Sequence, residues 1–335
     1  MEEILQKSSK QVFKGKTILV TGGTGSFGKA FIKYIVNNDC PKKIIVFSRD
    51  EMKQYFMREE YKNNNVLEFV IGDIRDQNKL NTVCKGVDYV VHTAAIKIVP
   101  TAEENPTEAI KTNIFGAMNL IDAAVNNQVK KVIAFSTDKA CNPVNLYGAT
   151  KLCSDKLFIA ANSYSLSKGT AFSVVRYGNV IGSRGSIIPI FLEKKKEGVI
   201  PVTDERMTRF WISLEHGVKF VTNCLECMSG GEIFIPKIPS MKIVDLVHAI
   251  APECRIDYIG IKPGEKLHET MISPDDSRNA IELDGGYIIQ PQFDWWDPKN
   301  YPNGKRLPDG FAYSSNTNPN FLSIDQMREL ISQFK

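Results

Sequence analysis

The chain is poor in the features that mark membrane, secreted and nucleic-acid-binding proteins. No apolar stretch approaches the ~18 uninterrupted residues of a spanning helix, and the opening Met1-Glu2-Glu3 is acidic where a signal peptide carries positive charge. There is no block of about five like charges. The longest basic cluster, Lys194-Lys195-Lys196, is flanked by Glu193 and Glu197, so it reads as a solvated helix face and not as the stripe of a nucleic-acid binder. Forty-two Lys and Arg against 38 Asp and Glu leave a formal charge of only +4. Cysteine is sparse and odd in number: seven residues, scattered and mostly inside apolar periodic segments, which excludes a disulfide framework and suits reduced thiols. Cys224 and Cys227 have redox or metal spacing, but no second pair and no nearby histidine accompany them; they read as buried helix cysteines, and no metal site is expected. The expectation is a soluble cytoplasmic protein without nucleic-acid or membrane partners.

What is present is ample core material. With 43% hydrophobic residues a disordered or fibrous chain is ruled out, and 335 residues allow one large unit or two smaller ones. From Lys16 onward, β-branched runs at Thr17 to Thr21, Lys43 to Phe47, Leu67 to Ile71, Val87 to His92, Lys131 to Ser136 and Ala171 to Arg176 alternate with helical patterns. That alternation implies parallel strands joined by right-handed crossovers. Ile18-Leu19-Val20 and Ile44-Ile45-Val46-Phe47 leave no polar side, so both sheet faces are covered. The predicted fold class is therefore α/β, a doubly wound parallel sheet. Its first helix carries Phe27, Phe31, Tyr34 and Ile35 on one stripe and ends near Asn37-Asn38. Beyond Arg176, recurrent prolines break the chain into shorter elements, which reads as a smaller lobe. The predicted division is a polar extension over 1–15, a dinucleotide-binding domain over 16–180, and a mainly substrate-binding lobe over 181–335 from which some segments return to the first domain.

Directly after the first strand, Thr21-Gly22-Gly23-Thr24-Gly25-Ser26-Phe27-Gly28 places Gly22, Gly25 and Gly28 in a G-x-x-G-x-x-G pattern. One glycine permits the tight turn, one lets a pyrophosphate approach the backbone, and one lets the helix pack close to the strand. After the second strand comes Ser48-Arg49-Asp50-Glu51-Met52-Lys53. Ser48, Arg49 and Lys53 can together hold a 2′-phosphate, which favours NADP, while Asp50 and Glu51 keep NAD open unless they begin the next helix. Asp73 and Ile74 follow the third strand where an adenine ring would lie, and Thr93 follows the fourth.

Tyr147 and Lys151 stand at i and i+4 on one helix face after the fifth strand. A fixed ammonium beside a phenol favours phenolate, so a group of reference pKa ~10 is expected to serve as a base nearer neutral pH. Together with Arg176-Tyr-Gly-Asn-Val180, these motifs resemble the extended short-chain dehydrogenase/reductases that act on nucleotide sugars. Ser136-Thr-Asp-Lys-Ala140, Ser183-Arg-Gly-Ser186, Met207-Thr-Arg-Phe-Trp211 and Pro263-Gly-Glu-Lys-Leu-His-Glu269 narrow the resemblance to the inverting UDP-N-acetylglucosamine 4,6-dehydratases that open the pseudaminic acid pathway. The likeness runs from about Lys16 to the tail.

That resemblance implies a Rossmann-like domain, NADP, a UDP-N-acetylglucosamine substrate and a symmetric homo-oligomer. It also implies a reaction in which carbon 4 is oxidised, the acidified carbon 5 proton is removed, the carbon 6 hydroxyl departs and the hydride returns to carbon 6. Tyr147, supported by Lys151, then takes the carbon 4 hydroxyl proton, Lys139 takes the carbon 5 proton and Asp138 protonates the leaving hydroxyl; Lys139 must be neutral and Asp138 protonated for this. Thr24, Ser26, Phe27 and Val180 join the cofactor contacts. Lys97, Thr137, Asn179, Arg184, Arg206, Arg209 and Glu265 are the implied substrate contacts, the arginines facing the diphosphate. His or Gln is expected where Ile98 stands, and His92 reads as a satisfied core histidine. The competing readings are a nucleotide-sugar 4-epimerase, a bifunctional dehydratase/5-epimerase and a non-catalytic NADP-binding scaffold. Asp138-Lys139 speaks against the first, the phenol of Tyr147 against the second, and the retention of Lys139, Tyr147 and Lys151 against the third.

Overall fold

The computed structural model describes residues 11–332. Strand β1 (Thr17–Thr21) pairs in parallel with β2 (Lys43–Ser48) on one side and with β4 (Tyr89–His92) on the other; β2 carries β3 (Leu67–Ile71), and β5 (Lys131–Thr137) and β6 (Ala171–Tyr177) follow β4. The resulting order β3-β2-β1-β4-β5-β6 is the doubly wound one, with its reversal of direction between β1 and β4. Every residue of β1 is buried, as its apolar centre Ile18-Leu19-Val20 requires. Helix α1 (Ser26–Asn38) lays Phe27, Phe31 and Ile35 against the sheet, and Tyr34 is partly buried beside them.

Several later segments rejoin this sheet. Ile233–Pro236 runs parallel beside β6, the hairpin of Ala280–Leu283 and Gly286–Ile289 continues it antiparallel, and Lys305–Arg306 closes a ten-stranded sheet. The hairpin turns at Asp284-Gly285, with Gly285 at φ +84°, the backbone that favours glycine. A second apolar cluster gathers Ile181, Ile188, Phe191, Trp211, Leu246 and Met327. It sits beside the carboxyl ends of the strands through Met207 and Ile243, which it shares with the central cavity's wall.

Residues 1–10 of the expected extension lie outside the described residues. Its remainder departs from a frayed segment: Phe13 is fully buried, edge-on to Phe31 at 5.7 Å between ring centroids, and its N–H donates to Asp39 Oδ2 at 2.9 Å. Burying such a ring stabilises by ~1.5–3 kcal/mol, enough to tie the segment down against a polar local composition. Among the described residues no helix is long and apolar enough to cross a membrane, and no group of His, Cys, Asp and Glu is arranged to hold a metal ion.

Candidate active site

A cavity of about 1040 Å³ opens at the carboxyl ends of β1, β2, β4, β5 and β6. This is where the reversal of strand order leaves a crevice in such sheets. One wall is the glycine-rich turn. Gly22 has φ +69°, and a Cβ there would lie 2.7 Å from Thr93 Oγ1 and 2.9 Å from Ala94 N; at Gly28 a Cβ would fall 2.6 Å from Gly23 Cα. These two glycines are required by close packing. Gly25 is different: it lines the cavity, and a Cβ would meet only Gly22 O at 3.0 Å. It also precedes α1 without a side-chain cap, so the first N–H groups of a 13-residue helix are left for a ligand. Arg184 braces this turn, its Nη2 donating to Thr24 O at 2.7 Å and its N–H to Ser26 Oγ at 3.2 Å.

At the end of β2, Ser48 is buried, and Gln54 donates to both its Oγ and its carbonyl. Arg49 reaches Asp73 at 3.5 Å and is half-exposed, and Lys53 pairs with Asp50. Asp50 also accepts from the Lys53 N–H as the N-cap of α2 (Glu51–Glu60), and its hydrogen bonds with Lys53 hold its carboxyl below the usual carboxylate range. This aspartate begins a helix. Asp73 is held by Arg75 at 2.7 Å, and that ion pair with Arg49 outweighs burial to keep its carboxyl below its ordinary value. Ile74 is buried against Gly116, and Thr93 donates from Oγ1 to Thr21 O at 2.7 Å. His92 is buried with its Nδ1 2.7 Å from Thr21 Oγ1, and burial together with the Lys151 charge pushes its pKa down to about 3, as befits a neutral core histidine.

The opposite wall holds the reactive side chains. Strand β5 ends in Thr137, and a short 3-10 turn over Asp138–Ala140 leads to the helix Leu146–Ser165, capped by Asn145, whose Oδ1 accepts from Gly148 N–H at 2.8 Å. Gly148 lies against the Lys139 carbonyl so closely that a Cβ would stand 2.1 Å from its oxygen. That contact sets Tyr147 and Lys151 at a fixed distance from Lys139. Lys151 is 4% exposed, lines the cavity, and among the described residues its ammonium has no hydrogen-bond acceptor. Burial lowers its pKa and Asp155 opposes that shift; Asp155 itself is raised by burial against the pull of Arg176 and Lys151. A buried, unbonded ammonium facing an open crevice fits the hydroxyls of a bound ribose.

Tyr147 and Lys139 are shifted in the directions opposite to those expected. Tyr147 is pushed up to about 12, because burial outweighs the Lys139 charge and the hydrogen bond with Thr137. The cation whose charge acts on the phenol is Lys139. Lys139, expected to be neutral, is a held ammonium: burial works against its charge, but Asp138 and Glu269 outweigh both burial and Arg209 and place it above the ordinary lysine range. Its Nζ lies 3.1 Å from Asp138 Oδ1 and 3.1 Å from Glu269 Oε1. Asp138, the expected acid at the substrate, accepts from Thr137 Oγ1 at 3.0 Å and from Lys139; it is 1% exposed and is not among the residues lining the cavity, although Thr137 and Lys139 on either side of it are.

The cavity also gathers Phe27, Lys97, Thr137, Asn179, Val180, Arg184, Arg209 and Glu265. Burial and the Arg184 charge hold Lys97 below the ordinary lysine range. Glu265 accepts from Lys262 N–H at 3.2 Å, a turn role within the wall. Arg209 spends its Nη groups on the carbonyls of Thr208, Lys266 and Leu267, so it shapes the Pro263–Glu269 loop. Arg206 is excluded: it is exposed, lies outside the lining and forks onto Asp204 at 2.9 and 2.8 Å. A two-residue hydrogen-bonded turn with Asp204 captures it locally. Glu269 was not singled out from the sequence, although its Pro263-Gly-Glu-Lys-Leu-His-Glu269 segment was; nothing in the spacing shows that the last glutamate turns inward.

A family model described as "Polysaccharide biosynthesis protein" matches residues 18–291. The chain is 54% identical over 330 residues to a Campylobacter jejuni protein named UDP-N-acetylglucosamine 4,6-dehydratase (inverting), covering 96% of this chain and 98% of that one. It is 44% identical over 287 residues to a Rickettsia akari protein named UDP-glucose 4-epimerase, covering 83% and 84%. The crystal structure of Pen from Bacillus thuringiensis superposes with a TM-score of 0.88 at 38% identity, covering 96% of this chain and 98% of that chain.

Proposed function

The chain belongs to the family of polysaccharide biosynthesis proteins, and from that premise we propose that it is a UDP-N-acetylglucosamine 4,6-dehydratase that inverts carbon 5 and releases one water. NADP is the dinucleotide that this reading assigns. Full-length likeness to the Campylobacter jejuni dehydratase supports the reaction. The observation that carries it is the Lys139 ammonium facing the cavity beside Tyr147 with buried carboxylates on both sides.

The residues suit a resident dinucleotide. Gly22, Gly25, Ser26 and the open N-terminus of α1 would hold its pyrophosphate, Thr93 and Ile74 its adenosine half, and Lys151 its nicotinamide ribose. Ser48, Arg49 and Lys53 line the cavity with a hydroxyl and two cations for a 2′-phosphate, which would draw Arg49 from Asp73 and Lys53 from Asp50, while Asp50 also caps α2. A bound nicotinamide would supply the hydride acceptor for carbon 4 and the hydride donor for carbon 6, the latter balanced by uptake of a proton at carbon 5.

The chain's own side chains handle protons. Tyr147, whose phenol keeps its proton in the resting site, releases that proton to solvent through the open cavity when its position against the sugar and the Lys139 charge stabilise phenolate. It then receives the carbon 4 hydroxyl proton. Lys139 collects the carbon 5 proton from the face it presents to the cavity, and Asp138 fixes the direction of its ammonium. Lys97, Asn179 and Arg184 orient the nucleotide sugar. Purified protein supplied with UDP-N-acetylglucosamine is expected to give a product lighter by one water with no net consumption of added NADP. A product of unchanged mass assigns an epimerase, and no product assigns a scaffold.

A further inference from the structure

Glu269 is a buried carboxylate that the reaction as written above does not use. It is 2% exposed, and its backbone is pinned: its N–H donates to Ser315 Oγ at 3.0 Å and its carbonyl accepts from Ser315 N–H at 2.8 Å. The side chain lines the cavity. Oε1 lies 3.1 Å from Lys139 Nζ and 3.9 Å from Arg209 Nε; Oε2 lies 3.7 Å from Lys266 Nζ and has no hydrogen-bond donor among the described residues. Lys266 gives its own hydrogen bond to Cys141 O at 2.6 Å, and Arg209 is committed to carbonyls. Glu269 Oε2 and Asp138 Oδ2 are both buried acceptors left without a donor, so it is position that separates the two carboxylates. Of the two carboxylates that touch Lys139, only Glu269 reaches the cavity lining.

Building on the dehydratase reading, we propose that Glu269 is the proton partner of Lys139: its carboxylate takes a proton from the Lys139 ammonium, freeing the amine for the carbon 5 hydrogen, and then gives that proton to the hydroxyl leaving carbon 6. The exchange balances. In the resting pair Lys139 is +1 and Glu269 is −1, and after the first transfer both are neutral. The carbon 5–hydrogen bond breaks, its electron pair stays on carbon and a new Nζ–H bond forms. The carbon 6–oxygen bond then breaks, the retained pair closes the carbon 5–carbon 6 double bond, and the departing oxygen takes the Glu269 proton as water. Lys139 ends charged and Glu269 ionised, as they began. Asp138, Arg209 and the Tyr147 phenol face the ammonium, and Arg209 and Lys266 face the carboxylate; His268 is turned to Thr208 at 2.8 Å. Arg209 and Lys266 stand farther from Glu269, at 3.9 and 3.7 Å; Lys139, an ion-pair partner at 3.1 Å that gives its hydrogen bond to Asp138 in the resting site, is the cation placed to pass it a proton.

The test compares full-length wild type, Glu269→Gln and Glu269→Asp with UDP-N-acetylglucosamine across pH. Carbon 4 oxidation is followed in single turnover by the near-ultraviolet absorbance of reduced nicotinamide, and water loss by product mass. Glu269→Gln is expected to keep carbon 4 oxidation and to lose water formation by about a hundredfold or more. Its residual water loss should rise about tenfold per pH unit where the wild type is flat, because Lys139 must then lose its proton to solvent. Glu269→Asp should be slower than wild type with the wild-type pH profile. The proposal is overturned if Glu269→Gln matches the wild type, if it slows with an unchanged pH profile, or if oxidation and water loss fall together. If Glu269→Gln does not fold, the Asp variant decides: a flat profile supports the partnership and a lysine-like slope overturns it. A wild type that releases no water defeats the dehydratase reading itself, before any variant is compared.

Discussion

Replacing Lys139 by methionine removes the cation that lies 3.1 Å from both Asp138 and Glu269 while keeping a similar aliphatic stem. Two carboxylates, 1% and 2% exposed, are then left facing one another. Glu269 retains Arg209 at 3.9 Å and Lys266 at 3.7 Å, whereas Asp138 has no other ion-pair partner among the described residues. Taking one member from a buried ion pair costs ~3–5 kcal/mol, and because methionine leaves little cavity and Glu269 keeps two distant cations, the lower end applies, about 3 kcal/mol at neutral pH. With a urea slope of ~1–3 kcal/mol per molar, the unfolding midpoint should fall by about 1 M or more. Far-ultraviolet circular dichroism in urea at several pH values measures it.

The pH dependence separates charge from packing. In the wild type the folded-state pKa of Lys139 is raised, so its contribution is complete below the ordinary lysine value near ~10.4 and is lost only as pH climbs through the raised folded value. The wild type should therefore hold its stability through neutrality. In Lys139→Met the uncompensated charge is negative, so protonation relieves it: the deficit should shrink as pH drops into the carboxylate range near ~4 and be full at neutral pH. Equal midpoints for the two proteins at neutral pH, or a deficit independent of pH, would refute the claim that this ammonium neutralises the two buried acids. The same variant should release no water from UDP-N-acetylglucosamine.

The glycine turn and the nucleotide end of the cavity yield two further tests. Gly28→Ala would force a Cβ to 2.6 Å from Gly23 Cα, a backbone clash costing ~1–3 kcal/mol, and should lower both stability and dinucleotide affinity. Gly25→Ala meets only Gly22 O at 3.0 Å and should fold normally while binding dinucleotide at least about tenfold more weakly by calorimetry; wild-type binding would remove the turn as the pyrophosphate seat. Arg49→Ala deletes one charge-assisted contact, ~1.5–3 kcal/mol, and should weaken NADP by about tenfold to a hundredfold while sparing NAD. Equal losses for both dinucleotides would contradict the 2′-phosphate assignment.

Periodicity made the sheet legible. The run Thr17 to Thr21 is β1 to the residue, and Lys43 to Phe47 and Ala171 to Arg176 are each extended by one residue, because continuous β-branched apolarity bounded by turn residues has few other uses in a covered sheet. The return of Ile233–Pro236 and the Ala280–Ile289 hairpin to that sheet was less visible, since a four-residue strand carries no period of its own and its partner is set by tertiary contact. Phe13 was hidden by polar neighbours. At the site, motif spacing brought Tyr147, Lys151, Lys139 and the glycine turn into one crevice. Proton occupancy was not readable in the same way: Lys139 depends on Glu269, 130 positions away in sequence, and Arg206 was lost to a neighbour two positions away. Charge states follow from which carboxylate arrives through the fold, and a linear pattern names only the neighbours along the chain.

The relatives named UDP-glucose 4-epimerase share 40–44% identity with this chain, so overall likeness does not by itself separate the two chemistries. The distinction rests on what each needs from the protein. Epimerisation removes a hydride from carbon 4 and returns it to the other face; the carbon 5 proton and the carbon 6 hydroxyl stay in place, and a tyrosine–lysine pair on the dinucleotide suffices for the proton that moves. Such an enzyme gains nothing from a second lysine beside the phenol. Here that lysine is present, it faces the cavity, and two carboxylates are desolvated to hold it, an arrangement that apolar residues of similar volume would often match in stability. A buried triad of this kind makes sense where a proton must be lifted from carbon and another delivered to oxygen within one closed site. Elimination makes both demands, and epimerisation makes neither.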